Sequence, residues 1–181
     1  MIQRVDLGVC PAYDYEGDGP TAVVLPGAMI GGMPAVYYAM EPLLAKGWRV
    51  VLVWWEFLDR NVDPWRWVRE RADAAIAHAG GADLLIAKSI GTHAARIDLP
   101  AVWLTPLLHD AEVVDALRAR AAKSLFVGGP NDFAWNAEVA RELGETLEIE
   151  GADHGLAKIV DAPQIAAGVG AFSAGLGSGG A

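Results

Sequence analysis

The sequence predicts a three-layer α/β sandwich, a mostly parallel central sheet of about six to eight strands with helices on both faces. Short β-branched apolar runs alternate with longer Ala-rich stretches of helical period along the chain. The runs are apolar throughout, as in Val50-Val51-Leu52-Val53-Trp54-Trp55, whereas a strand wet on one face would alternate. Several helical stretches open on Pro and close on Gly, the usual asymmetry of helix ends.

The elements follow in order. Ile2 to Leu7 reads as strand and Asp14 to Pro20 as turn, enough for one or two edge strands. Strands are expected at Thr21 to Leu25, Trp48 to Trp55, Asp83 to Ala87, Ala101 to Thr105, Ser124 to Val127 and Thr146 to Ile149. Between them lie helix candidates at Pro34 to Lys46 before Gly47, Pro64 to Ala79 before Gly80-Gly81, Ile90 to Arg96, Asp110 to Ala122, Asn136 to Leu143 before Gly144, and Pro163 to about Ala174.

Length and composition bound the rest. A chain of 181 residues fits one domain and a sizeable core without disulfides. That domain is expected over residues 1–175, because the Gly-rich stretch beyond it buries too little to order itself, which makes 176–181 a flexible tail. With 53% hydrophobic and 20% charged residues the chain is too apolar to be disordered. The net charge of −9 repels a phosphate backbone or an anionic lipid surface, so neither nucleic acid nor membrane is an expected partner. Cys10 is the sole cysteine, which rules out an intrachain disulfide and a Cys-rich metal site and suits a reducing, cytoplasmic compartment. The acid at Asp6 interrupts what a secretory signal would need as an apolar stretch.

The segment Leu84-Leu85-Ile86-Ala87-Lys88-Ser89-Ile90-Gly91 runs from a buried strand through a serine straight into a helix. So sharp a turn forces the serine into a strained conformation, and it needs small residues two before and two after, where Ala87 and Gly91 stand. At the helix start, the Ile90 N–H could stabilise an oxyanion in an already positive field. Lys88 beside the serine is expected to point away from the chemistry, and His93 to pack within its helix.

This stretch resembles the nucleophile elbow of the α/β-hydrolase family, whose triad follows in chain order Ser, acid, His. Leu125-Phe126-Val127-Gly128-Gly129-Pro130-Asn131-Asp132 looks like that family's acid loop, and Glu150-Gly151-Ala152-Asp153-His154-Gly155 like its histidine loop. The resemblance spans roughly residues 21 to 175 and implies catalytic roles for Ser89, Asp132 and His154. Asp132 taken singly reads as a helix cap or Asx turn and His154 as a turn residue. Jointly they follow separate strands at the edge where open parallel sheets bind ligands. The loop Leu25-Pro26-Gly27-Ala28-Met29 has Pro26 where the family usually has His, but keeps the glycine. It would supply a second oxyanion donor, the N–H of Ala28 or, less favourably, of Met29.

The resemblance implies hydrolysis of a carboxylic ester or thioester through an acyl-enzyme, with no metal or organic cofactor. Only 15 residues separate Leu108 from Ser124, one helix's worth, so the cap domain common in the family is expected to be missing. The resulting open cleft suits a small or carrier-bound acyl substrate. Seven tryptophans are many for this length, and Trp55, Phe57, Trp135 and His109 are placed as candidate substrate-lining residues beside Met29. The competing function is a catalytically silent hydrolase-fold protein that binds a ligand or regulates a partner. A dinucleotide site would need different glycine spacing than Gly27-Ala28-Met29-Ile30-Gly31-Gly32 offers.

Overall fold

The computed structural model describes residues 1–28, 33–55 and 61–177. Its eight strands are β1 (Ile2–Asp6), β2 (Pro11–Tyr15), β3 (Thr21–Leu25), β4 (Arg49–Val53), β5 (Leu84–Lys88), β6 (Ala101–Leu104), β7 (Ser124–Gly128) and β8 (Glu145–Glu148). They form one sheet in the order β1-β2-β4-β3-β5-β6-β7-β8. From β4 to β8 every pairing is parallel, while β1 and β2 form an antiparallel hairpin laid against β4. The first 20 residues therefore supply one end of the sheet, with β1 alone at its edge and β2 between β1 and β4, the hairpin turning through Gly8 at φ 80°.

Burial on both faces explains the continuous apolar runs. One face packs under α2 (Pro64–Ala79), a 3₁₀ segment (Ser89–Arg96), α3 (Ala111–Arg118) and α4 (Ala137–Leu143), with Val23, Val51, Leu85, Trp103 and Phe126 beneath. Val24, Leu52, Ile86, Val102 and Val127 point the other way, under α1 (Met33–Leu44) and α5 (Ala162–Gly177). Alternate residues of each strand feed opposite cores, as the pleat requires.

Local chemistry sets the helix ends. Asp63 caps α2 by accepting from the Trp65 N–H, and Gly80 closes it in the left-handed region. Asp110 and Asn136 cap α3 and α4 in the same way. The sequence places the end of α3 at Ala122, but the helix stops at Arg118. Competing bonds are the reason: Arg120 turns to the carbonyls of Ala95, Ile97 and Leu99, and the N–H groups of Ala121 and Ala122 go to Asp98. Residues 89–96 wind as 3₁₀ because Thr92 and His93 bond back to the carbonyls of Ser89 and Ile90, three residues earlier.

Helix α5 runs to Gly177, two residues into the stretch composition assigns to a loose tail; 178–181 lie outside the described residues. Ile165, Val169 and Phe172 anchor it in the core against α1. By length and composition the span Ile159–Leu176 is apolar enough to cross a membrane, at mean hydropathy 1.2. Among the described residues no cap domain is inserted after β6; Thr105–Asp110 and α3 lead directly to β7.

Candidate active site

The serine turn departs from the core under strain. Ser89 follows β5 directly and has φ 51°, a left-handed conformation that costs a non-glycine residue about 1 kcal/mol or more. Close approach on either side permits it: a Cβ added to Gly91 would lie 3.3 Å from Ala87 Cβ and 3.4 Å from Leu25 Cβ. Larger residues at 87 or 91 would push the 3₁₀ segment off the sheet. Thr92 braces the turn through a 2.5 Å bond from Oγ1 to the Ser89 carbonyl.

Two further loops meet this turn. Ser89 Oγ lies 2.8 Å from His154 Nε2, and His154 Nδ1 lies 2.7 Å from Asp132 Oδ1. The Asp132 side chain is fully buried and also accepts from the Ala134 N–H, whereas the imidazole is 26% exposed. The carboxylate thus holds one ring nitrogen and turns the other toward the serine. Glycine at 129 allows the two loops to touch, since a Cβ there would sit 2.4 Å from the Ile149 carbonyl oxygen. The Asn131 N–H then bonds the Ala152 carbonyl.

The loop after β3 completes the rim. A Cβ on Gly27 would lie 3.7 Å from Ser89 Cβ, so the backbone leading to Ala28 passes beside the serine, while Ile90 follows it directly. Met29 and Phe57 lie outside the described residues.

Two of the proposed lining residues have other positions. Trp55 is buried, donates from Nε1 to the Gly27 carbonyl at 2.7 Å and packs edge-on against Trp67, so it supports the loop from beneath instead of facing a substrate. Trp135 packs behind the acid loop against Gly128 and donates to Glu148. His109 is exposed on the rim, with its ring 5.8 Å from that of Phe133.

Sequence reasoning passed over Phe133 and misjudged Lys88. Phe133 is 74% exposed, with its ring 4.7 Å from His154. An aromatic directly after the acid was the available signal. Lys88, expected to point away, is buried beside the histidine loop; Nζ donates to Thr105 Oγ1 at 2.9 Å and to the His154 carbonyl at 2.6 Å. Burial pulls its pKa down to about 8, against the opposing pull of the Asp132 and Asp153 carboxylates. Among the described residues no cluster of side chains could hold a metal ion.

This is the α/β-hydrolase fold. The structure superimposes on Est1E from Butyrivibrio proteoclasticus with bound ferulic acid at TM-score 0.75 and 14% identity, covering 96% of this chain and 98% of that one. The esterase domain of a Rhodothermus marinus protein matches at TM-score 0.74 and 15% identity, with 96% and 98% covered. A thioesterase domain from the curacin biosynthetic pathway gives 0.70 and 12%, with 93% and 98% covered. In sequence, the chain matches no protein-family model and no curated protein.

Proposed function

We propose that the protein is a serine hydrolase that cleaves a carboxylic ester or thioester through an acyl-enzyme. The observation that carries this reading is the continuous run of hydrogen-bond distances from Ser89 Oγ through His154 to Asp132, starting from a serine held at positive φ. A ligand-binding protein has no use for a strained hydroxyl aligned with a base. The esterase and thioesterase neighbours favour the same chemistry.

In this mechanism His154 Nε2 takes the Ser89 proton as Oγ attacks the acyl carbon. Asp132 stabilises the imidazolium and holds its tautomer. The N–H groups of Ala28 and Ile90 receive the oxyanion. His154 returns the proton to the departing alcohol or thiol, then activates the water that releases the acid. General base catalysis contributes roughly 10² to 10⁴ in rate, and each oxyanion donor roughly 10² to 10³. Without a cap the cleft admits a small or carrier-bound acyl group, and Phe133 offers its exposed face to an apolar or aryl leaving group.

The test is covalent labelling with a fluorophosphonate and turnover of p-nitrophenyl acetate and a short acyl thioester. Wild type should label once per chain at Ser89 and hydrolyse one or both substrates, and Ser89→Ala should do neither. Wild type that folds yet neither labels nor turns over would leave the silent ligand-binding reading in its place.

A further inference from the structure

We infer that Lys88 is the positioning residue of this site, its buried ammonium fastening the histidine loop to the sheet so that the imidazole meets the serine. The inference rests on the serine-hydrolase reading above. Three rim segments converge on this one side chain. Its stem passes under the loop after β3, where a Cβ on Gly27 would lie 3.9 Å from both Cγ and Cδ. Its ammonium bonds Thr105 Oγ1 at the end of β6 and the main-chain carbonyl of His154 itself.

That placement is chemically specific. Lys88 is 2% exposed, and an ammonium so far from water is retained only where its donors are used. Thr105, which presents the hydroxyl, has φ 42°, a strained conformation for a β-branched residue. The histidine loop is strained as well, with Leu156 at φ 48° just beyond His154. A loop carrying such strain needs a tether, and the bond to the His154 carbonyl acts on the catalytic residue's own backbone. Misplacing a reacting group by about 1 Å can cost about 10²-fold in rate.

The tether is charge-sensitive. The charged groups acting on the ammonium are the carboxylates of Asp132, on the acid loop, and Asp153, on the histidine loop, and both favour its protonation. Asp132 has a buried Oδ2 with no hydrogen-bond partner, so a nearby cation offsets a charge that is otherwise incompletely satisfied. Below pH about 8 the bonds from Lys88 are charge-assisted. Above it they become ordinary amine bonds of roughly half the strength, and the compensation of Asp132 is lost.

Lys88→Met and Thr105→Val test this, read by two independent measurements on the whole protein. In the first, kcat and KM for the aryl acetate are followed from pH 6 to 10. Wild type should lose activity on an alkaline limb centred near pH 8. Lys88→Met should lose about 10- to 100-fold in kcat with KM within about twofold, and should lack that limb; Thr105→Val should lose about two- to tenfold in kcat. In the second, amide hydrogen exchange over residues 150–158 should accelerate at least about tenfold in Lys88→Met, with β1 and β2 unchanged.

Wild-type kcat and exchange in Lys88→Met, or an alkaline limb that survives the substitution, would overturn the inference. If Lys88→Met does not fold, Thr105→Val and the exchange of the wild-type loop between pH 7 and 9 decide in its place. If wild type has no hydrolytic activity at all, the proposed function fails, while exchange still shows whether Lys88 fastens the loop.

Discussion

Single side chains at this rim separate by what they touch. Phe133 lies against the imidazole and is left 74% exposed, so its ring offers an apolar face to a substrate held at the imidazole. Phe133→Ala should therefore raise KM for an aryl ester about three- to tenfold and leave kcat nearly unchanged, since an aromatic contact contributes about 0.5 to 1.5 kcal/mol. Steady-state kinetics with aryl and short alkyl esters would check it, the alkyl substrate being the less affected. That Ser89, Asp132 and His154 share one rim was legible because each follows an apolar run that could be placed in a parallel sheet. The surroundings of Lys88 and Trp55 were not. Each is met by a carbonyl from a loop far along the chain, His154 for one and Gly27 for the other, and no local pattern encodes that meeting.

At the scale of elements, apolar runs and turn chemistry located seven of the eight strands and most helices, with ends shifting by a few residues; β2 went unplaced, and its Asp14 and Tyr15 fall in a stretch that reads as turn. Arg120 explains the largest shift. It closes three carbonyls between the 3₁₀ segment and β6 while lying over Trp103, work that would otherwise fall to water in a half-buried crevice. Arg120→Met should remove about 1 to 3 kcal/mol of stability by taking the guanidinium donors away from those carbonyls, of which Ile97 keeps a bond from the Leu99 N–H. Urea denaturation with an unchanged m-value would measure the loss. The 3₁₀ winding after Ser89 was beyond sequence patterning, because it depends on Thr92 and His93 folding back onto their own turn.

Across the whole molecule, a partly buried ion cluster joins the antiparallel hairpin to the parallel sheet. Asp14 on β2 bonds Arg49 on β4 through both oxygens, and His78 at the end of α2 lies 2.9 Å away. The Arg49 guanidinium is the main cause that holds the Asp14 carboxyl below its ordinary value. A depressed acid contributes stability above its unfolded pKa, about 3.9, and surrenders it as pH falls through the folded value. Asp14→Asn should consequently be less stable than wild type at pH 7 and show a shallower loss of stability below pH about 4. Thermal melts between pH 2.5 and 7 would reveal the converging curves.

The sheet ends in two short margins, β1 on one side and β8 on the other. Gln3, Arg4 and Asp6 stand along the first and Glu145 and Glu148 along the second. A foreign strand seeking to zip onto either border would have to strip water from those groups and, at β8, bring its own backbone beside fixed negative charge. Growth of the sheet from one copy into the next is thus discouraged at both borders.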